Sequence, residues 1–380
     1  MKIFLKIIAF IILVPFLLFN IYILFSGKTY LYKAIIYNYV DINDNILFSQ
    51  RKIPVGEGVE WPFHIEYRKH AMPQYLKDTL EKYNSVAFVI IKNDSLFFEK
   101  YWESYSDSSI SNSFSMAKSI VGILIGIANE EGKIKSLDEP IGNYISEFKE
   151  GEKYKITIRH LLMMSSGLDW DEAYGSPLSV TTEAYYGTDL YKIAVNQKAI
   201  NPPGKNFIYQ SGNTELLGII LEKATGKSLS EYASEKLWKP LHAMHIAEWS
   251  LDKENGREKS YCCFYSNARD FARFGSLYLH DGNMFGKQIV SADYVKTSTT
   301  LTPLSDEGKP NEDYGYHWWI TKYNDHHIFY MRGILGQYVV VIPDLQLIFV
   351  RLGHRRSDKG PDGKLTDLPV FIKGVLEMTN

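Results

Sequence analysis

The sequence predicts an α+β fold, in which one sheet is built from both ends of the chain and a helical region is inserted between them. Runs rich in β-branched and aromatic residues occur early and again late in the chain. Amphipathic stretches separated by Pro/Gly loops fill the middle, between residues 135 and 240. Strands at both ends and helices between them favour a single sheet completed by the two ends. The predicted strands are 85–92, 96–102, 328–331, 337–342 and 345–352.

Turn signals support this order of elements. The first two strands flank Asn93-Asp94, which is typical of a hairpin, and the last two are joined at Pro343-Asp344. Between these pairs, residues 114–130 are apolar nearly all round and contain two glycines. Such a helix is expected to be buried on all sides, with the glycines where another backbone comes close.

The N-terminal segment predicts a membrane anchor. Residues 7–25 form an apolar run interrupted only by Pro15 and Asn20, close to the roughly 20 residues needed to cross a bilayer core. The bulky residues after this run are unsuited to a signal peptidase, which favours an uncleaved anchor over a cleaved signal segment. We expect residues 1–26 to be that anchor and the globular part to lie on the extracytoplasmic side (periplasmic or extracellular). Cleavage and secretion is the alternative.

Composition excludes several classes of protein. The 380 residues include 42 basic and 44 acidic side chains, a net charge of −2, so a basic nucleic-acid-binding surface is not expected. With 45% hydrophobic and 14% aromatic residues the chain is not disordered. The two cysteines, Cys262 and Cys263, are adjacent, which excludes a disulfide scaffold and a thiolate zinc site, and we expect two partly buried thiols. The histidines lack acidic partners at ligand spacing, so neither a metal nor a cofactor is predicted.

A serine and a lysine three residues apart form the first chemical motif. The pattern S-x-x-K occurs at least four times, but only Ser115 and Lys118 open a long apolar helix. Residues i and i+3 share one face of a helix, so the lysine can reach the serine hydroxyl. A lysine enclosed by apolar groups loses its preference for the charged form and can act as a base. A serine at a helix start with a solvent-directed lysine is the alternative.

Two further motifs follow in order. Tyr209 stands just before small polar residues and a new helix, where a phenol can shuttle protons between a nucleophile and a leaving group. Later, Gly333 precedes an apolar strand and allows a ligand to approach the strand edge. The backbone N–H of Ile334 could then pair with that of Ser115 as an oxyanion hole.

With these three motifs in order, the sequence resembles the serine β-lactamase and penicillin-binding-protein superfamily, on its class C-like and esterase side. It is most similar there to 6-aminohexanoate-dimer hydrolase-like proteins, over roughly residues 73–375. Further similar stretches are 156–168, 267–275 and 314–319. The resemblance implies a β-lactamase-like (DD-peptidase) fold with an antiparallel sheet flanked by helices. We expect one hydrolase domain over residues 71–380, with a helical insertion at about 131–265, preceded by an irregular arm over residues 27–70.

The resemblance also implies roles for individual residues. Ser115 would be the nucleophile, Lys118 its base, and Tyr209 the proton shuttle. Ser211 stands where the family usually has asparagine, and Asn213 follows two residues later. The other expected substrate contacts are the loop residue Tyr174, Arg332 and Gly333.

The third motif departs from the β-lactamase pattern, because no Lys-Thr-Gly or Lys-Ser-Gly occurs and Arg332 offers the nearby cation. This favours a serine hydrolase that forms an acyl-enzyme on a small amide or ester over an efficient β-lactamase. The alternatives are a penicillin-binding or sensor-type protein that acylates but turns over slowly, a D-Ala-D-Ala carboxypeptidase or β-lactamase, and a pseudoenzyme. The sequence leaves the oligomeric state open.

Overall fold

The computed structural model describes residues 2–361 and 363–380. Short 3₁₀ turns connect many of its elements. The α-helices, in chain order, are Lys2–Ser26 (α1), Tyr30–Tyr37 (α2), Gln74–Lys82 (α3), Met116–Glu130 (α4), Ile158–Leu162 (α5), Val180–Tyr186 (α6), Leu190–Val195 (α7), Ser211–Thr225 (α8), Leu229–Ala233 (α9), Ala268–Leu279 (α10), Ala292–Ser298 (α11) and Asp367–Thr379 (α12).

The strands form one large antiparallel sheet and smaller ones. The strands are Gln50–Ile53 (β1), Ser85–Lys92 (β2), Ser95–Tyr101 (β3), Ser111–Asn112 (β4), Ala247–Ser250 (β5), Phe264–Ser266 (β6), Asn283–Met284 (β7), Lys287–Gln288 (β8), Ser305–Asp306 (β9), Lys309–Pro310 (β10), Trp319–Tyr323 (β11), His326–Gly333 (β12), Gln337–Ile342 (β13) and Leu347–Gly353 (β14).

The six-stranded sheet has the order β11-β12-β13-β14-β2-β3, and each neighbouring pair is antiparallel. Strands β2 and β3 come from the start of the domain and the other four from its end, so the predicted α+β fold with a sheet from both chain ends is confirmed. The register between β14 and β2, for example Val350 opposite Val89, joins the two ends. Strand β11 was not predicted, since its burial does not alternate simply between faces.

Both faces of the sheet are covered by helices. On one face, α3 and α12 close a compact apolar cluster that includes Leu76, Phe88 and Phe371. On the other face, α10 crosses β13 and β14, and α4 lies between the sheet and α8. Helix α4 is buried from Met116 to Ala128, as its apolar sequence predicts. The first residues of α4 therefore sit where the sheet and the helical region meet.

The N-terminal segment differs from the prediction. The expected transmembrane anchor is wrong: among the helices of residues 2–361 and 363–380, none is both long enough and apolar enough to cross a bilayer. The end of α1 contacts protein, because Ile23 is only 3% exposed and the Tyr32 hydroxyl donates to Asn20 Oδ1 at 2.6 Å. The membrane partner and the extracytoplasmic location, which we inferred from the anchor, lose their basis with it.

The segment of residues 27–70, expected to be irregular, contains regular structure. Helix α2 packs against α6, and β1 pairs with β5 in a small antiparallel sheet. That sheet has the order β1-β5-β6-β4, so the N-terminal segment is joined to the strand that precedes α4.

The adjacent cysteines also differ from the prediction. Cys262 and Cys263 form a vicinal disulfide, so the expectation of two thiols is wrong. Cys263 has a left-handed backbone with a φ of +66°, a conformation that the sequence does not indicate for a cysteine.

A buried histidine ties three helices together behind α4. His317 is 1% exposed, and its ring bonds Thr214 Oγ1 at 2.9 Å and the carbonyl of Leu162 at 3.3 Å. Its own carbonyl accepts a hydrogen bond from the Ser119 hydroxyl at 2.6 Å. Burial, together with the nearby charge of Lys118, lowers the pKa of His317 to about 3. The imidazole is therefore neutral in the folded protein at ordinary pH.

This histidine predicts that stability falls in mild acid. An unfolded histidine has a pKa of about 6.5, so below that pH the unfolded chain takes up a proton that the folded chain does not. The contribution is complete above about pH 6.5 and is lost as the pH falls toward 3. We expect wild type to lose about 2 kcal/mol more than His317→Gln between pH 7 and pH 5, measured by urea unfolding. The control, His327→Gln, removes an exposed histidine and should keep the wild-type slope. A wild-type and a His317→Gln protein with parallel pH profiles would contradict the prediction.

Candidate active site

The predicted nucleophile lies at the start of α4. Ser115 directly precedes the helix and follows a sharp turn in which Phe114 has a φ of +43°. Such a conformation is costly for a bulky residue and persists only where neighbouring contacts enforce it. Here the Phe114 N–H donates to Asn112 Oδ1 at 2.8 Å, and the Asn112 side chain bonds the Tyr265 hydroxyl at 2.9 Å. Strand β4 thus fixes the turn that presents Ser115.

Lys118, one turn further along α4, is enclosed and surrounded by oxygen atoms. It is 1% exposed, and its Nζ donates to Ser115 Oγ at 3.0 Å, Ser211 Oγ at 3.1 Å and the Tyr261 carbonyl at 2.9 Å. The lysine is therefore held against the serine hydroxyl by two other segments of the chain.

Tyr209 and Ser211 lie beside this lysine at the start of α8. Lys118 Nζ is 5.1 Å from the centroid of the Tyr209 ring. That ring packs against Tyr314 and Trp319, with centroids 6.0 Å and 5.5 Å away. Since Tyr209 and Ser115 line the same cavity, the structure brings the phenol and the serine to one site. Ser211, which the resemblance places where the family usually has asparagine, contacts the lysine.

Glu172 belongs to the site, although the sequence did not reveal it. The backbone N–H and the hydroxyl of Ser211 donate to its two carboxylate oxygens at 2.7 Å and 2.6 Å. The Tyr174 hydroxyl also donates to Glu172, at 2.5 Å. A chain of hydrogen bonds therefore runs from Glu172 through Ser211 to Lys118.

The end of β12 approaches Ser115 closely. A Cβ atom on Gly333 would lie 2.3 Å from the Ser113 carbonyl oxygen, so only glycine allows this contact. Ile334 follows and lines the cavities that contain Ser115. In the turns and loops of the described residues, the N–H groups of Ser115 and Ile334 have no backbone acceptor. Both residues line the cavities at Ser115, and the oxyanion hole that their N–H groups could form stays a prediction.

The remaining predicted contacts separate into two groups. Arg332 lines the cavity, and its guanidinium stacks on Trp319 at 3.4 Å from the ring centroid. Tyr174 also lines the cavity and is 46% exposed. Asn213, in contrast, is 1% exposed, accepts a hydrogen bond from Ser166 at 2.6 Å and lines neither cavity at Ser115.

Two cavities open at Ser115, with volumes of about 360 Å³ and 550 Å³. They share Ser115, Tyr174 and Ile334 and extend in different directions, one toward α2 and the other toward β11 and β12. Among residues 2–361 and 363–380, no group of three or more His, Cys, Asp or Glu side chains is arranged to hold a metal ion. What the site offers is an enclosed serine and lysine, a phenol, and backbone donors. This set suits nucleophilic attack on a carbonyl group.

Comparison with known proteins agrees with this arrangement. A model of the β-lactamase family matches residues 73–368. The 6-aminohexanoate-dimer hydrolase of Paenarthrobacter ureafaciens is 26% identical over 295 residues, covering 73% of this chain and 74% of that protein.

Solved structures share the fold. A Bacillus anthracis protein provisionally named 6-aminohexanoate-dimer hydrolase superposes with a TM-score of 0.77 at 23% identity, covering 89% of this chain and 92% of that one. An octameric penicillin-binding protein homologue from Pyrococcus abyssi superposes with a TM-score of 0.59 at 21% identity, covering 80% and 75% of the two chains. Because the family match extends over most of the chain, this protein belongs to the β-lactamase family and is a serine hydrolase.

Proposed function

We propose that this hydrolase cleaves a small amide or ester through an acyl-serine intermediate on Ser115, in the manner that the name 6-aminohexanoate-dimer hydrolase suggests for its relative. The observation that carries the proposal is the contact of Lys118 Nζ with Ser115 Oγ at 3.0 Å inside an enclosed site. A lysine this close to the hydroxyl can receive its proton as the oxygen attacks.

The proposed reaction has two halves. Ser115 Oγ bonds to the substrate carbonyl carbon while its proton passes to the Lys118 side chain, and the N–H groups of Ser115 and Ile334 stabilise the oxyanion. Tyr209 then passes a proton to the leaving oxygen or nitrogen as its bond to the carbonyl carbon breaks, which leaves the acyl group on Ser115. In the second half, water attacks this ester and gives a proton to Tyr209. Lys118 returns its proton to Ser115 Oγ as the bond between that oxygen and the acyl carbon breaks, and the carboxylic acid leaves.

The cation beside the site supports an amide or ester substrate over a β-lactam. The last motif has Arg332 instead of a lysine, and its guanidinium carbon lies 3.4 Å from the centroid of the Trp319 ring. Its guanidinium can still meet an anionic or polar group, but its position is fixed by the stacking. A substrate carboxylate would have to reach it there.

Removal of the nucleophile should abolish covalent labelling. We expect Ser115→Ala to lose all labelling by a fluorophosphonate probe, because the other serine that contacts Lys118, Ser211, donates its hydroxyl proton to Glu172. The matched control is Ser146→Ala, which alters another S-x-x-K serine that lies on a surface turn next to Glu147. Labelling is read on a gel and by intact mass.

Undiminished labelling of Ser115→Ala would overturn the assignment. Labelling of wild type, followed by one equivalent of product and no steady state with any ester or amide, would instead favour the slowly deacylating binding protein over the hydrolase.

Lys118 and Tyr209 should act as one unit with the serine. We expect Lys118→Ala and Tyr209→Phe each to lower kcat/KM for a 4-nitrophenyl ester by about three orders of magnitude or more, and the double variant to lose little beyond the worse single one. Lys149→Ala changes the lysine of the S-x-x-K pattern that begins at Ser146, and this control should match wild type. A double variant whose loss is the product of the single losses would show that the two side chains act independently.

We expect Glu172 to affect the rate of hydrolysis by holding Ser211 in place. Glu172→Gln keeps an oxygen acceptor but removes the charge, and one charge-assisted hydrogen bond contributes about 1.5–3 kcal/mol. We therefore expect a loss of about 10- to 100-fold in kcat/KM, smaller than for Lys118→Ala. Asp171→Asn, at the exposed neighbouring position, is the matched control. If both variants had wild-type rates in steady-state ester hydrolysis, Glu172 would have no such role.

A further inference from the structure

The two cavities that meet at Ser115 differ in chemistry. None of the described residues that line the 360 Å³ cavity is charged; its walls include Ile35, Tyr39, Phe114, Tyr185 and Tyr186. We call this cavity the apolar lobe. Eight charged residues line the 550 Å³ cavity, which we call the charged lobe: Glu172, Asp306, Glu307, Asp313, Arg332, Arg356, Lys359 and Lys364.

The position of Tyr209 indicates which lobe would bind which part of the substrate. It lines the charged lobe and is absent from the walls of the apolar lobe described here. In the proposed reaction Tyr209 gives its proton to the leaving group, so the leaving group has to lie on the tyrosine's side of Ser115. The part of the substrate that stays bonded to Ser115 is then directed to the other side, into the apolar lobe.

The outer wall of the apolar lobe comes from the N-terminal segment. Ile35 of α2 and Tyr39 just after it line the lobe, and both precede residue 73, where the match to the β-lactamase family begins. Helix α2 is held in place by α6, as Tyr37 stacks on Tyr186 with ring centroids 6.4 Å apart. This wall therefore lies outside the residues that the family model matches.

We propose that the substrate is an ester or amide of an apolar carboxylic acid, aliphatic or aromatic, with a polar alcohol or amine as the leaving group. The apolar acyl group binds in the lobe closed by α2, and the polar leaving group binds among the charges of the other lobe. This inference rests on the proposed function, because it uses Ser115 as the acylated atom and Tyr209 as the proton donor to the leaving group.

The expected preference for longer acyl chains follows from the free energy of burying apolar groups. Each methylene removed from water contributes enough free energy to raise an equilibrium constant about fourfold. If the lobe also binds the acyl group in the transition state, kcat/KM rises with chain length in the same proportion. From a two-carbon to a six-carbon acyl group we expect an increase on the order of 100-fold.

The experiment uses the full-length chain and the 4-nitrophenyl esters of acetate, butyrate and hexanoate. Ile35→Asn places a polar group on the lobe wall, whereas Ile36→Asn makes the same change at the next position of α2, which is 73% exposed and outside the lobe. We expect Ile35→Asn to lower the hexanoate-to-acetate ratio of kcat/KM at least fivefold and Ile36→Asn to leave it unchanged. Because Ile35 is 56% exposed, neither change should unfold the protein, which thermal unfolding checks.

A flat or falling preference across the three wild-type esters would overturn the inference, as would equal effects of the two isoleucine variants. If Ile35→Asn fails to fold, Tyr39→Ala tests the same wall at a residue that is 57% exposed. Failure of the proposed function gives a different result: no ester is hydrolysed and the fluorophosphonate probe does not label Ser115. Hydrolysis and labelling without a chain-length preference would reject only the acyl-group inference.

Discussion

The site depends on how Lys118 is held. Burying the polar end of a lysine is costly unless oxygen atoms replace the water it has lost. The three oxygens that do so come from the turn before α4, the start of α8 and the loop at Tyr261. Each of these segments is fixed in turn, for example through the two hydrogen bonds from Ser211 to Glu172. The orientation of Ser115 is thus set by contacts that also hold separate parts of the fold together.

Around Lys118, the helices and the late strands contribute different groups to the site. In the proposed reaction the helices supply the groups that hold and move protons, namely Lys118 and Tyr209, while the end of β12 leads to Ile334, one of the two backbone donors that would stabilise the developing negative charge. The strained turn at Phe114 and the close approach of Gly333 to Ser113 bring these two parts within reach of one carbonyl group. The N-terminal helix α2 adds a wall that neither part provides.

How much of this the sequence could predict depends on whether a feature is local. The spacing of Ser115 and Lys118 at the start of an apolar helix is a local pattern, and so is the run that becomes β13. Glu172 could not be found in this way, because it lies in a loop without periodicity and meets Ser211 only in the folded chain. His317 lies within a stretch that resembles the family, but its burial against α5 and α8 has no local signal.

The apolar run at the N-terminus has the length of a membrane span, and only the packing around Ile23 and Tyr32 shows that its end contacts protein. The vicinal disulfide likewise requires a left-handed backbone at Cys263 that the sequence does not indicate.

The sheet made from both chain ends has a consequence for the newly made protein. Ser115 and Ile334 are separated by about two hundred residues, and β12 and β13 must be in place before Ile334 can line the cavities at the serine. At the usual rates of synthesis, on the order of 5–20 residues per second, the ribosome completes α4 roughly ten to forty seconds before it reaches those strands. During that interval the nascent chain carries a serine and a lysine but lacks the second backbone donor. In the proposed reaction, hydrolytic competence therefore arises only after β12 and β13 have been synthesised.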